Sequence, residues 1–140
     1  VIPDEILNKP GPLTPSEWDV MKKHAEIGYG ILKSSSREPL VTAAVIALSH
    51  HERWDGSGYP RKLKGEEIPL EGRIVAVADV FDALRCRRLY GAPWSDTRIV
   101  EYIKAGSGSQ FDPYVTEIFR QISAECFSVM IRYPDANPPG

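Results

Sequence analysis

Four residues in this chain could bind or transfer the most chemistry: His24, His50, His51 and Asp79. Neutral imidazole is the commonest protein ligand for transition metals, and the chain contains only these three histidines. His50 and His51 are adjacent and close an apolar run. They are followed at once by Glu52-Arg53-Trp54-Asp55-Gly56-Ser57-Gly58-Tyr59-Pro60, a stretch rich in charge, Gly and Pro. Asp79 falls inside the apolar run Ile74–Leu84. An unpaired carboxylate buried there would be strongly unfavourable, so it calls for a metal cation, a buried Arg or Lys, or a set of backbone donors. Taken singly, an arginine partner for Asp79 and three ordinary histidines would explain these residues. Taken together they make a His, His-His, Asp set spread over separate helices, which a helical bundle can gather around a metal.

The elements that must position this set read as helices. Residues 1–13 hold Pro3, Pro10, Gly11 and Pro12 and predict an extended arm or turn. Thr14, Pro15 and Glu17 form a capping-box start, and Trp18, Met21, Ala25, Gly28 and Ile31-Leu32 recur at helical spacing, so one helix is expected from Thr14 to Leu32. A second is expected from Pro39 to His51. Residues 52–69 read as a long loop, and loops of that length are usually functional or disordered. The run from Leu70 to Leu89 is apolar around its circumference and predicts a central helix buried on most sides. Ser95 and Gly106 bracket a helix over Asp96–Ala105, and Asp112 caps a last helix reaching Tyr133. The expected fold is an all-α bundle over residues 1–133, followed by a frayed tail, 134–140.

Composition narrows the function classes. At 140 residues with 42% hydrophobic content, the chain is one domain or most of one. A net charge of −2 gives no general attraction for a nucleic-acid polymer or an anionic membrane, although Arg85, Arg87 and Arg88 make a local basic cluster. No apolar run approaches a membrane span. Two cysteines, Cys86 and Cys126, fit reduced thiols better than a disulfide framework, so a cytoplasmic protein is expected.

Several ordered motifs then converge. Ile2-Pro3-Asp4, Lys9-Pro10-Gly11-Pro12-Leu13-Thr14, Gly30-Ile31-Leu32 after His24, the string from His50 to Pro60, Ile68-Pro69-Leu70, the run Val77–Leu84 and Gln110-Phe111-Asp112-Pro113 together resemble the HD-GYP domain, a branch of the HD phosphohydrolase superfamily, over residues 1–120. The resemblance implies an HD-type helical bundle with an irregular GYP loop and a centre of two or three divalent ions, iron or manganese. It implies hydrolysis of the bacterial second messenger cyclic di-GMP to pGpG and GMP. Carried over residue by residue, it makes His24, His50, His51 and Asp79 metal ligands, with His50, His51 and Asp79 catalytic through the metal-activated water. Gly58, Tyr59 and Pro60 become the signature loop at the substrate, also a docking point for a GGDEF-domain diguanylate cyclase. Arg88 is matched to a cation set against substrate phosphate. Glu52 and Asp55 either orient ligands from behind or solvate the loop. Trp18, Trp54 and Trp94 are expected mainly as packing residues.

The departures from that pattern bear on activity. The adjacent His-Asp pair that names the superfamily lies just before the Ile-Pro-Asp arm, and here the chain opens at Val1. This segment alone is therefore expected to be inactive, with a sensory or receiver domain preceding it in a two-component protein. After the Val77–Leu84 run the sequence reads Arg85-Cys86-Arg87-Arg88-Leu89-Tyr90-Gly91, where the family usually places Thr-Ser and a second cation. A module that keeps the fold but has lost turnover, binding nucleotide or docking a cyclase, is the alternative.

Overall fold

The computed structural model describes residues 1–85 and 94–133. Among them are seven α-helices, one short 3-10 turn and no β-strand. The chain divides into two compact units, Val1–Ala76 and Val77–Gly140. The all-α expectation holds.

The first unit contains α1 (Asp4–Leu7), α2 (Pro15–Met21), α3 (His24–Leu32), α4 (Glu38–Ser49), the 3-10 turn Gly65–Glu67 and the start of α5 (Leu70–Arg85). Two expectations need correction here. The arm is not wholly extended: Pro3 at the N-cap with Asp4 and Glu5 behind it supports one helical turn, because proline costs nothing before the first turn and acids favour its positive end. The helix expected over 14–32 is also broken, and the reason is a side chain. The carbonyl of Met21 is hydrogen-bonded by the His24 ring at 2.8 Å, and the Lys23 amide reaches back only to Val20. The start of α2 follows the sequence closely. Thr14 and Glu17 form a reciprocal capping box, and Lys9 reaches Glu17 at 2.6 Å, tying the arm to the helix.

The helices α3 and α4 pack directly on one another, and a small-residue contact lets them do so. A methyl placed on Gly28 would lie 3.2 Å from the Ala47 Cβ. Gly28 is one turn after His24 and Ala47 one turn before His50, so the closest approach of the two helices lies beside the imidazoles. At the same end of α4, a Cβ on Gly72 would collide with Ser49 Oγ. Only glycine permits that close passage of α5.

The second unit consists of the rest of α5 with α6 (Asp96–Ala105) and α7 (Pro113–Arg132). Its core is Val77, Phe81, Ile99, Ile103, Phe111, Val115, Phe119 and Phe127. Phe81 sets its ring against Phe119 at 5.5 Å and Phe127 at 5.0 Å, in the inclined geometries aromatic quadrupoles favour. Ser95 caps α6 through the Arg98 amide, and Asp112 caps α7 through the Tyr114 amide at 2.7 Å. Both caps and the Gly106 stop fall where the sequence puts them. The expectation that α5 is buried on most sides does not hold. Val77 and Phe81 are buried, whereas Ile74, Ala78, Asp79, Asp82 and Ala83 are exposed, so the helix uses one face.

Candidate metal centre

His24 opens α3, and His50 and His51 close α4. The packing of those two helices brings the three imidazoles together, with one ring nitrogen from each lying within 4.8 Å of the others. Ring centroids are 3.9 Å apart for His50 and His51, 4.8 Å for His24 and His51, and 5.5 Å for His24 and His50. All three are partly buried.

Hydrogen bonding fixes the tautomers. His24 Nδ1 bonds the Met21 carbonyl at 2.8 Å, and His50 Nδ1 sits 3.0 Å and 3.1 Å from the carbonyls of Ile46 and Ala47. A carbonyl oxygen only accepts, so each Nδ1 carries the proton and each neutral ring presents a bare Nε2 lone pair. Those two Nε2 atoms face each other at 3.4 Å. Two lone pairs pointed together repel unless a cation or a shared proton lies between them. Backbone carbonyls behind imidazoles that converge in front are the arrangement metal-binding histidines use. Burial, and then the charge that His50 and His24 would carry, lower the His51 pKa to about 4. The donor set therefore fits a divalent transition metal.

The loop after His51 is built around Glu52 and Gly58. Glu52 is 4% exposed, and its carboxylate accepts the backbone N–H of Arg61 at 2.7 Å and of Leu63 at 3.0 Å. Gly58 is buried against the preceding turn. A Cβ there would lie 2.3 Å from Arg53 N, 2.6 Å from Glu52 Cα and 2.6 Å from His51 O. The Tyr59 amide then donates to the His51 carbonyl at 3.2 Å, and the Tyr59 ring stacks on the His51 ring at 4.9 Å and 28°. The Tyr59–Pro60 peptide is cis.

Several expected roles change on this geometry. Glu52 orders the loop rather than orienting an imidazole. Asp55 is exposed and accepts from Ser57 N and Oγ, which holds its carboxyl below the usual range, so it too shapes the loop. Gly58 is buried and packs closely against the turn before it. Asp79 is exposed, so burial forces no counter-charge on it. It lies in the second unit, and the described metal-type cluster consists of the three histidines. Arg88, with Cys86, Arg87 and the tail 134–140, falls outside the described residues. Trp54 is half-buried, with the Arg73 guanidinium 5.9 Å from its ring, and Trp94 packs against the second core. Trp18, by contrast, is 47% exposed. Sequence reasoning missed the anchoring carbonyls and the clamp made by Glu52, since neither leaves a mark in residue order.

The HD domain family model matches residues 1–115. This chain belongs to the HD domain family. Its relatives are larger proteins. It is 47% identical over 134 residues to the 3′3′-cGAMP-specific phosphodiesterase 2 of Vibrio cholerae, covering 96% of this chain and 26% of that protein. It is 50% identical over 134 residues to a cyclic di-GMP phosphodiesterase of Thermotoga maritima, covering 96% and 36%. It is 54% identical over 112 residues to the cyclic di-GMP phosphodiesterase response regulator RpfG of Xanthomonas campestris, covering 80% and 30%. The HD domain chain thus spans about a third or less of the length of these relatives. A crystal structure of a cyclic GMP-AMP-specific phosphodiesterase from V. cholerae shares its fold, with a TM-score of 0.62 at 22% identity over 97% of this chain and 36% of that one. The HD-GYP assignment read from the motifs agrees with these findings. No helix among the described residues is long and apolar enough to cross a membrane.

Proposed function

We propose that this chain supplies part of the metal centre of a phosphodiesterase that hydrolyses cyclic di-GMP to pGpG and GMP. The observation that carries the proposal is the opposed pair of Nε2 atoms on His24 and His50, 3.4 Å apart, with His51 completing a three-imidazole cluster. The names of the relatives support the substrate class, since both cyclic di-GMP and 3′3′-cGAMP phosphodiesterases are among them.

In this reading His24 and His50 hold the metal through Nε2 atoms whose opposite ring nitrogens bond backbone carbonyls, His51 adds the third imidazole, and Asp79 contributes a carboxylate ligand. Two or three divalent ions, iron or manganese, would polarise a phosphoryl oxygen and make water acidic enough to attack the phosphodiester. Tyr59 and Pro60 face the substrate on the loop that Glu52 and Gly58 hold in place. Arg88 offers phosphate a planar donor fork, which supplies positive charge locally in an acidic chain. Residues 1–133 act as the partial HD-GYP domain, with 134–140 as its tail. A sensory or receiver domain upstream and a GGDEF-domain partner at the Tyr59 loop complete a bacterial, cytoplasmic signalling role.

The test is metal analysis of the full-length protein, then chromatography of products after incubation with cyclic di-GMP and, separately, 3′3′-cGAMP, with iron or manganese supplied. Release of pGpG or GMP from cyclic di-GMP is expected. Turnover of 3′3′-cGAMP alone would overturn the substrate. Metal bound without turnover of either nucleotide would leave the non-catalytic module as the better account.

A further inference from the structure

Trp18 stands on α2, whose start is fixed by the capping box and whose backbone is bonded from Trp18 N to Thr14 O at 2.8 Å. The residue is 47% exposed, a large apolar side chain left partly in water. The ring is not isolated. Its nearest aromatic neighbour is Tyr59, at 6.4 Å between centroids and 81° between planes, and Tyr59 in turn stacks on His51 at 4.9 Å. Tyr59 also sets its edge toward His24, at 6.5 Å. A line of aromatic rings therefore runs from the imidazole cluster through Tyr59 outward to one half-open indole.

We propose that Trp18 is a substrate-binding residue that stacks one purine base of the cyclic dinucleotide while the phosphodiester lies at the imidazoles. This assignment rests on the phosphodiesterase reading above. The chemistry is general: every purine has a π face, and stacking on an exposed aromatic ring tightens binding without reading base edges. Tyr59, already stacked on His51, fixes the angle of approach but has its own face engaged. Trp18 keeps its surface available.

The experiment compares wild-type full-length protein with Trp18→Ala and Trp18→Phe, loaded with manganese and supplied with cyclic di-GMP. Three quantities are measured: KM and kcat, bound manganese, and quenching of tryptophan fluorescence by added nucleotide. Trp18→Ala is expected to raise KM about tenfold while changing kcat far less, with manganese content unchanged. Trp18→Phe retains a π face and recovers most of the affinity, yet loses the quenching signal. Unchanged KM in Trp18→Ala would overturn the assignment, and so would a joint fall of kcat and manganese content that phenylalanine does not correct, since that marks a residue bracing Tyr59. If wild type binds nucleotide, by quenching, without hydrolysing it, the enzymatic reading falls while the Trp18 contact is still judged by the quenching and affinity of the variants. If wild type neither quenches nor turns over, both fall.

Discussion

His24 Nε2 and His50 Nε2 lie 3.4 Å apart, each with its other ring nitrogen bonded to a main-chain carbonyl, that of Met21 at the end of α2 for His24 and that of Ile46 in α4 for His50. The two rings thus set acceptor against acceptor, a repulsion that a cation or a shared proton between them would relieve. Replacing His50 by Ala should lower apparent manganese affinity more than tenfold, because disturbing even a residue behind a ligand commonly costs about that much. Isothermal titration of the full-length protein with manganese measures it. Unchanged stoichiometry and affinity would remove His50 from the ligand set.

Gly58 and Gly30 should respond oppositely to alanine. A Cβ on Gly58 would meet backbone atoms of Arg53, Glu52 and His51 at 2.3–2.6 Å, which cannot swing aside, while nothing lies within 4 Å of one on Gly30. Gly58→Ala is expected to destabilise by at least about 2 kcal/mol. Gly30→Ala, within α3, should be neutral or stabilising by up to about 1 kcal/mol. Urea denaturation followed by circular dichroism gives both values, and equal effects would show that the loop does not pass that close.

Glu52→Gln probes the loop clamp. Glutamine keeps one oxygen acceptor but presents an NH2 toward one of the two backbone N–H groups of Arg61 and Leu63, leaving it unpaired. A loss of about 1–3 kcal/mol is expected, together with faster hydrogen exchange at those two amides. If their protection is unaltered, Glu52 does not hold the loop.

These sites show what was readable from residue order. The caps at Thr14, Ser95 and Asp112 and the stop at Gly106 were legible because capping is decided within a few residues of chain. The histidine set was legible as a set, through the rarity of the residue type. The break after Met21 was not, because it depends on which carbonyl the His24 ring takes. Nor was the exposure of Asp79, since an apolar run does not say which of its faces meets a neighbour. Gly58 read as part of the signature loop, and residue order did not show that backbone passes through the space a side chain there would fill.

Acid should loosen the arm from α2. The Lys9 ammonium, and next the Thr14 amide, hold the Glu17 carboxyl at about 2, below the ordinary 4.5. A depressed carboxylate pKa contributes stability that is present above 4.5 and lost as pH falls from there toward 2. Carbon-detected NMR titration should find the Glu17 midpoint near 2, moving upward in Lys9→Ala. A midpoint near 4.5 in wild type would mean that the capping box and ion pair do not persist in solution.

The most direct measurement is an anomalous difference map of crystals of the full-length protein grown with manganese or iron, recorded at the metal's absorption edge. A peak is expected within bonding distance of His24 Nε2, His50 Nε2 and a ring nitrogen of His51. A metal peak elsewhere, with these three imidazoles contacting no ion, would contradict it.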